Sequence, residues 1–108
     1  MGMPLLSTDE PVPDGALMDR MAQRDATALI ELQYRYWGSL YAQAYGILRD
    51  ARRADRVVAQ VFEQVWQGAA RLNQGRREVL TWLRDVARAL AREDRAAADS
   101  RYHLTEES

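Results

Sequence analysis

The sequence contains no cysteine, and all 15 of its basic residues are arginine. The absence of cysteine excludes disulfides, thiolate nucleophiles and zinc–thiolate sites. No apolar run approaches the ~20 residues that a membrane-spanning helix needs. The segment Met1 to Pro13 has no basic start followed by an apolar stretch, so we expect no signal peptide. A cytoplasmic location follows as the default expectation.

Chemistry-bearing motifs are also scarce. His103 is the only histidine, so neither a catalytic triad nor a histidine metal cluster can be built. No glycine-rich phosphate loop and no nucleophile motif is present. We therefore expect no enzyme activity, no catalytic residues, no metal and no cofactor.

The composition that remains is globular. The chain has 108 residues, 47% of them hydrophobic and 29% charged, which is enough for one modest core. The formal net charge is −1, so contact with nucleic acid would need a local basic patch. Exclusive use of arginine has two interpretations: coding bias in a GC-rich genome, or selection for planar contacts to carboxylates and phosphates.

Proline and polarity divide the chain into three parts. All three prolines lie in residues 1–13, which we interpret as a flexible N-terminal arm. Residues 14–98 carry helical periodicity, and residues 99–108 form a polar, frayed tail. The pattern predicts one all-α domain, a compact bundle of about four helices.

Four apolar stripes define the predicted helices, with Asp14 and Asp25 as N-caps of the first two. The third helix ends near Gly68, and a loop follows from Leu72 to Arg77. The stripes comprise Leu17, Met18 and Met21; Leu29, Leu32, Tyr36, Leu40, Ala44 and Ile47; Val57, Val58, Val61, Phe62, Val65 and Trp66; and Val79, Leu80, Leu83, Val86, Ala87 and Leu90.

Two features of these helices leave alternatives open. Gly38 and Gly46 interrupt the second helix, so either packing compensates for them or they mark close helix approaches. The aromatic residues form core packing, or they stack on unpaired bases beside arginines. For base contact the best segment is 71–101, with eight arginines against five acidic residues.

Several short motifs, in order, resemble region 2 of the extracytoplasmic-function sigma factors, the promoter-melting domain. The motifs are Asp25 to Leu29, Arg35-Tyr36, Leu40-Tyr41, Ile47 to Asp50, Ala54-Asp55, Val57-Val58, Val61-Phe62, Val65-Trp66, Thr81 to Leu83 and Val86 to Arg88. The likeness spans about residues 14 to 95. It implies a helical domain that binds the clamp helices of core RNA polymerase and the single-stranded non-template strand of promoter DNA.

The resemblance also implies two sets of site residues. The polymerase-binding set is Asp55, Arg56, Ala59, Gln60 and Glu63. The DNA-binding set is Arg71, Asn73, Arg76, Arg77, Trp82, Arg84, Arg88 and Arg92, with a flipped base held by the loop around 72–77. An anti-sigma factor and a homodimer are further partner hypotheses, and no membrane contact is expected.

The sequence departs from the family pattern at the polymerase-binding helix. Arg56 stands where the family usually has an acidic residue, and Ala59-Gln60 replaces a Gln-Glu pair. A reversed charge facing a basic clamp can cost several kcal/mol. On the DNA-binding helix, Ala89 replaces the usual asparagine. Family members usually carry a second helical domain, which the polar residues after 98 could not form, so we expect either a piece of a longer protein or a lone domain. These departures favour an alternative: a sigma-like interaction or regulatory module that keeps the fold but has lost polymerase binding. A helical bundle whose likeness is coincidental is the third hypothesis.

Overall fold

A computed structural model describes residues 12–72 and 78–107. Within these ranges the chain forms four α-helices and no β-strand, which confirms the all-α prediction. The helices are α1 (Asp14–Ala22), α2 (Ala26–Leu48), α3 (Ala51–Leu72) and α4 (Val79–Glu107). Helices α1 and α4 each pack against both α2 and α3, which also pack against each other. None of the described helices is both long and apolar enough to cross a membrane.

Side-chain caps fix the starts of α2 and α3. Asp25 caps α2 as predicted: its Oδ1 accepts a hydrogen bond from the Thr27 backbone N–H at 3.0 Å. The Asp50 carboxylate accepts from the Arg53 N–H at 2.9 Å, one turn into α3. Between them, Arg49 ends α2 in the left-handed conformation at φ 54°, and its N–H donates to the Tyr45 carbonyl.

The start of α1 differs from the prediction. Asp14 is not the N-cap: Pro13 holds that position, in extended backbone and without a side-chain cap bond. Asp14 is instead the first helical residue, and its carboxylate accepts hydrogen bonds from Arg35 and Tyr36 of α2. The tertiary partners take the oxygens that a capping role would need.

The core follows the predicted stripes. On α3 the predicted stripe is buried except for Trp66, which is half-buried because it lines the groove between α2 and α3. Leu29, Tyr36, Ile47, Val79, Val86 and Leu90 are likewise partly buried and packed against the core. The buried hydrophobic residues of the described ranges are Leu17, Met18, Met21, Ala28, Leu32, Leu40, Ala44, Leu48, Ala54, Val57, Val58, Val61, Phe62, Val65, Ala69, Leu83, Ala87 and Ala91.

Two helices extend further than their apolar stripes. Helix α3 continues past Gly68 to Leu72, and α4 continues to Glu107 through the segment predicted as a frayed tail. Alanines at 96–98 have the highest intrinsic helix propensity, so the backbone remains helical where the stripe has ended. Of the predicted loop, Leu72 belongs to α3, and residues 73–77 lie outside the described ranges.

Candidate functional site

The five residues of the predicted polymerase-binding set lie together on α3. Asp55, Arg56, Ala59, Gln60 and Glu63 are all exposed. Their steps of one, three and four residues place them on the side of the helix opposite the buried valines, since each residue advances about 100°. The set therefore forms a continuous solvent-facing strip about two turns long, called the α3 face below.

Contacts at both edges hold the α3 face in place. The guanidinium of Arg53 donates through Nε to Asp94 Oδ2 at 2.7 Å and through Nη2 to the Asp94 carbonyl at 3.1 Å, joining α3 to α4. Both side chains are about three-quarters buried, with exposures of 27% and 29%, so solvent screens this pair less than a surface pair. On the core side, Phe62 stacks on Trp37 of α2 with ring centroids 5.7 Å apart.

Two grooves run beside the α3 face. The groove against α2, about 260 Å³, is mostly apolar and is bordered by Ala59 and Glu63. The groove against α4, about 430 Å³, is lined by Glu63, Glu93 and Asp94, of which Asp94 is paired with Arg53. A helix that presents polar residues between two grooves offers a partner both charge contacts and apolar contacts.

The charges on the α3 face are mixed. Asp55 and Glu63 are acidic, and Arg56 is an exposed cation between them. The departure at Arg56 therefore changes the charge that a partner meets and leaves the core untouched. The departures at Ala59 and Gln60 likewise alter only the exposed surface, because neither residue belongs to the core.

The DNA-binding set is brought together only in part. Arg84, Arg88 and Arg92 are exposed on α4 at steps of four residues, and exposed Arg95 continues their line. We call these four residues the α4 ridge. Asp85 lies next to it in sequence, so the local field is weaker than four arginines alone would produce.

Trp82 does not belong to the α4 ridge. It is half-buried and packs against the core. Two residues separate it from Arg84, which at about 100° per residue places them about 160° apart around the helix. A base stacked on the Trp82 ring would not lie directly over the arginine line.

The other residues of the predicted DNA-binding set lie at the end of α3 or outside the described ranges. Arg71 lies in the last turn of α3, and its side chain is outside the description. Asn73, Arg76 and Arg77 lie outside the described residues altogether. Their roles stay predictions.

Sequence reasoning missed an arginine–tryptophan contact at the edge of the apolar groove. Arg24 adopts a left-handed backbone, φ 68°, in the turn between α1 and α2. Its Nη1 donates to the Trp66 carbonyl at 2.9 Å, and its guanidinium lies 5.1 Å from the centroid of the Trp66 ring. Such a cation–π contact is worth about 0.5–1 kcal/mol at an exposed site. No spacing rule links residues 42 positions apart, so the sequence held no signal for it.

A second missed cluster joins α1 to α2. Arg35 Nη1 donates to Asp14 Oδ1 at 2.9 Å, and the Tyr36 hydroxyl donates to Asp14 Oδ2 at 2.5 Å. Burial raises the pKa of Tyr36 to about 12, with a further contribution from the Asp14 carboxylate. The cluster contains no nucleophile or metal set, and we interpret it as a structural contact. Among the described residues, no group of three or more His, Cys, Asp or Glu side chains could hold a metal ion.

No protein-family model matches the sequence, and the searches of curated proteins and of solved structures return no match.

Proposed function

We propose that this chain is a sigma-factor region 2-like domain that binds core RNA polymerase and melted promoter DNA during transcription initiation. The observation that carries the proposal is the α3 face. The five residues assigned to polymerase binding from resemblance alone lie side by side, exposed, between two grooves. Residues that were buried, or spread over several sides of the fold, could not form one contact surface for a partner.

The second part of the proposed function, binding of melted promoter DNA, is assigned to the α4 ridge. Arg84, Arg88 and Arg92 form one exposed line that can follow a phosphate backbone. Phosphate contacts fix the register of a strand, and sequence readout then falls to other residues. The domain itself would catalyse nothing; it would act in the cytoplasm by binding opened DNA better than closed DNA.

A second candidate function is an interaction module that has lost polymerase binding. Exposed Arg56 on the α3 face favours it, because a basic partner surface would repel that charge. Such a module would bind a regulator, for example an anti-sigma factor.

Binding to purified core RNA polymerase tests the proposal. The wild type is compared in pull-down with a triple variant, Arg56→Glu, Ala59→Gln and Gln60→Glu, which restores the family pattern. All three positions are exposed, so we expect unchanged folding by circular dichroism. A charge reversal on α4, Arg95→Glu, is the matched control.

The two functions predict different results. The sigma-domain proposal predicts that the wild type is retained by the polymerase and that the triple variant is retained at least as well. Retention of the triple variant alone would assign the chain to the second function. If neither is retained, the polymerase is not its partner.

A further inference from the structure

A further groove lies at the end of the bundle where α2 stops and α3 begins. It measures about 380 Å³ and is bordered by the C-terminal end of α2, the first turn of α3 and the second half of α4. Arg49, Arg53 and Arg95 line it, one from each of these elements. Gly46 also lines it, and a Cβ there would meet nothing within 4 Å, so no neighbouring helix closes the groove at that point. We call this groove the arginine cleft.

Arg53 is the fixed member of the arginine cleft. Its Nε donates to Asp94 Oδ2 at 2.7 Å, and its Nη2 donates to the Asp94 carbonyl at 3.1 Å, so the guanidinium is held in one orientation. These contacts use only part of the donor set of a guanidinium, and Nη1 keeps both of its N–H groups. The Asp94 carboxylate offsets the charge, so Arg53 contributes oriented donors more than net charge.

The net charge of the arginine cleft comes from Arg49 and Arg95. Both are exposed, and neither makes an ion pair with any described residue. Asp99 also lines the cleft, one helical turn after Arg95. The Asp50 carboxylate, next to Arg49 in sequence, caps α3 on the Arg53 backbone N–H. Within the lining, the two unpaired guanidiniums therefore outweigh the Asp99 carboxylate.

The chemistry of these donors selects a class of ligand. They come from three elements, so they meet a ligand from different directions. A tetrahedral oxyanion accepts hydrogen bonds on all of its sides, whereas a carboxylate accepts only through its two coplanar oxygens. Guanidinium groups also match phosphate oxygens in geometry and charge. We propose that the arginine cleft is a binding site for a phosphate group, held by Arg49, Arg95 and the remaining N–H groups of Arg53.

Two sources carry this chemistry: the backbone of a nucleic acid, and a small phosphate compound. Arg95 also ends the α4 ridge, so a strand that follows the ridge reaches the cleft. A backbone phosphate in the cleft rests on the proposed DNA contact. A small phosphate compound would bind whether or not the chain contacts DNA.

An NMR titration of the intact chain with inorganic pyrophosphate tests the cleft without DNA. At low ionic strength, where salt screens charges least, we expect saturable binding with a dissociation constant on the order of 1 mM or below. The largest amide shifts should fall at 46–53 and 95–99, the segments that border the cleft. Shifts that do not saturate, or that are spread evenly over the exposed arginines, would overturn the proposal.

Glutamine substitutions test the two unpaired arginines. Arg49→Gln and Arg95→Gln should each raise the dissociation constant for pyrophosphate about tenfold, the change that 1.4 kcal/mol produces. Both positions are exposed, so circular dichroism should show unchanged folding. Arg52→Gln is the matched control, because it removes the same charge from an exposed residue of α3 that does not line the cleft. An equal loss for Arg52→Gln would mean that the attraction is general and that the cleft is not a site.

Asp99→Asn tests the cleft in the opposite direction. It removes the carboxylate that lines the cleft beside the two guanidiniums, so pyrophosphate should bind severalfold more tightly. Glu93→Gln, at an exposed position of α4 outside the cleft, is the control and should change binding much less. Unchanged or weaker binding by Asp99→Asn would contradict the proposal.

Fluorescence anisotropy with a single-stranded oligonucleotide identifies the source of the phosphate. If Arg49→Gln weakens binding of both the oligonucleotide and pyrophosphate, the cleft takes a backbone phosphate. If it weakens binding of pyrophosphate alone, the cleft takes a small phosphate compound. No difference from Arg52→Gln with either ligand would overturn the proposal. A chain that binds pyrophosphate but neither DNA nor polymerase would contradict the proposed function and leave the arginine cleft standing.

Discussion

Asp14 shows how one residue can serve a different purpose from the one its position suggests. An aspartate before an amphipathic stretch predicts an N-cap, but the carboxylate lies against Arg35 and Tyr36 of α2. Arg35 is only 17% exposed, so its partner cannot be replaced freely by water. At the residue scale, this contact ties the short helix α1 to the rest of the bundle.

Removing the Asp14 carboxylate should destabilise the protein. Asp14→Ala leaves the half-buried guanidinium and the Tyr36 hydroxyl without this acceptor, which we expect to cost about 1–3 kcal/mol. Chemical denaturation measures the free energy of unfolding. Glu31→Ala is the matched control, because it removes the other carboxylate from the same arginine, a 3.3 Å contact that is 49% exposed on the glutamate side. The control should cost about 0.5 kcal/mol or less, and equal losses would contradict this interpretation.

Tyr36 should also make stability depend on pH in the alkaline range. Its pKa is raised from the ordinary 10.0 to about 12 in the folded state. A group with a raised folded pKa contributes stability that is complete below the unfolded pKa and is lost as the pH rises through the folded pKa. The free energy of unfolding should therefore fall between pH 10 and pH 12.

Tyr36→Phe provides the comparison, since phenylalanine keeps the ring and cannot ionise. Chemical denaturation at several pH values should show that the free energy of unfolding falls less for this variant than for the wild type between pH 10 and pH 12. Parallel curves for the two proteins would show that Tyr36 does not carry the dependence.

At the scale of the element, each long helix divides its surface between the core and a possible partner. Helix α3 buries its valines and exposes the α3 face, and α4 buries Leu83, Ala87 and Ala91 while exposing the α4 ridge. Substitutions on the exposed sides should therefore change binding without changing the fold.

The α4 ridge should bind single-stranded DNA through phosphates. Arg88→Ala removes one cation, so affinity for a single-stranded promoter oligonucleotide should fall, and the slope of log affinity against log salt should decrease by about 0.7. Fluorescence anisotropy across a salt series measures both quantities. Arg56→Ala removes the same charge from α3 and should leave the DNA affinity much less affected. Indistinguishable DNA affinities for Arg88→Ala and the wild type would remove the ridge from the site.

At the scale of the whole molecule, the sequence predicted the elements better than the contacts between them. Apolar periodicity located each of the four helices in the described ranges, and the Asp25 cap was predicted correctly, because both are local properties. Helix ends were less accurate: α3 and α4 continue beyond their predicted stripes, where buried Ala69 and Ala91 extend the core and the alanines at 96–98 favour the helix.

Tertiary contacts were not predictable in the same way. The Arg53–Asp94 pair joins residues 41 positions apart, and the Arg24–Trp66 contact depends on a left-handed residue that no pattern specifies. The five residues of the α3 face were predicted as a set from the family resemblance alone, and they share one face of α3 because their spacing matches the helical repeat. The separation of Trp82 from the arginines follows from the same steps but was overlooked.

The proposed function depends on contact between the α3 face and core RNA polymerase. A photo-reactive amino acid at Ala59, in the middle of that face, tests it directly, with the same probe at exposed Ala96 of α4 as the control. After irradiation with purified core polymerase, we predict a cross-link from position 59 to a polymerase subunit and little or none from position 96. No cross-link at 59, or equal yields at both positions, would contradict the account.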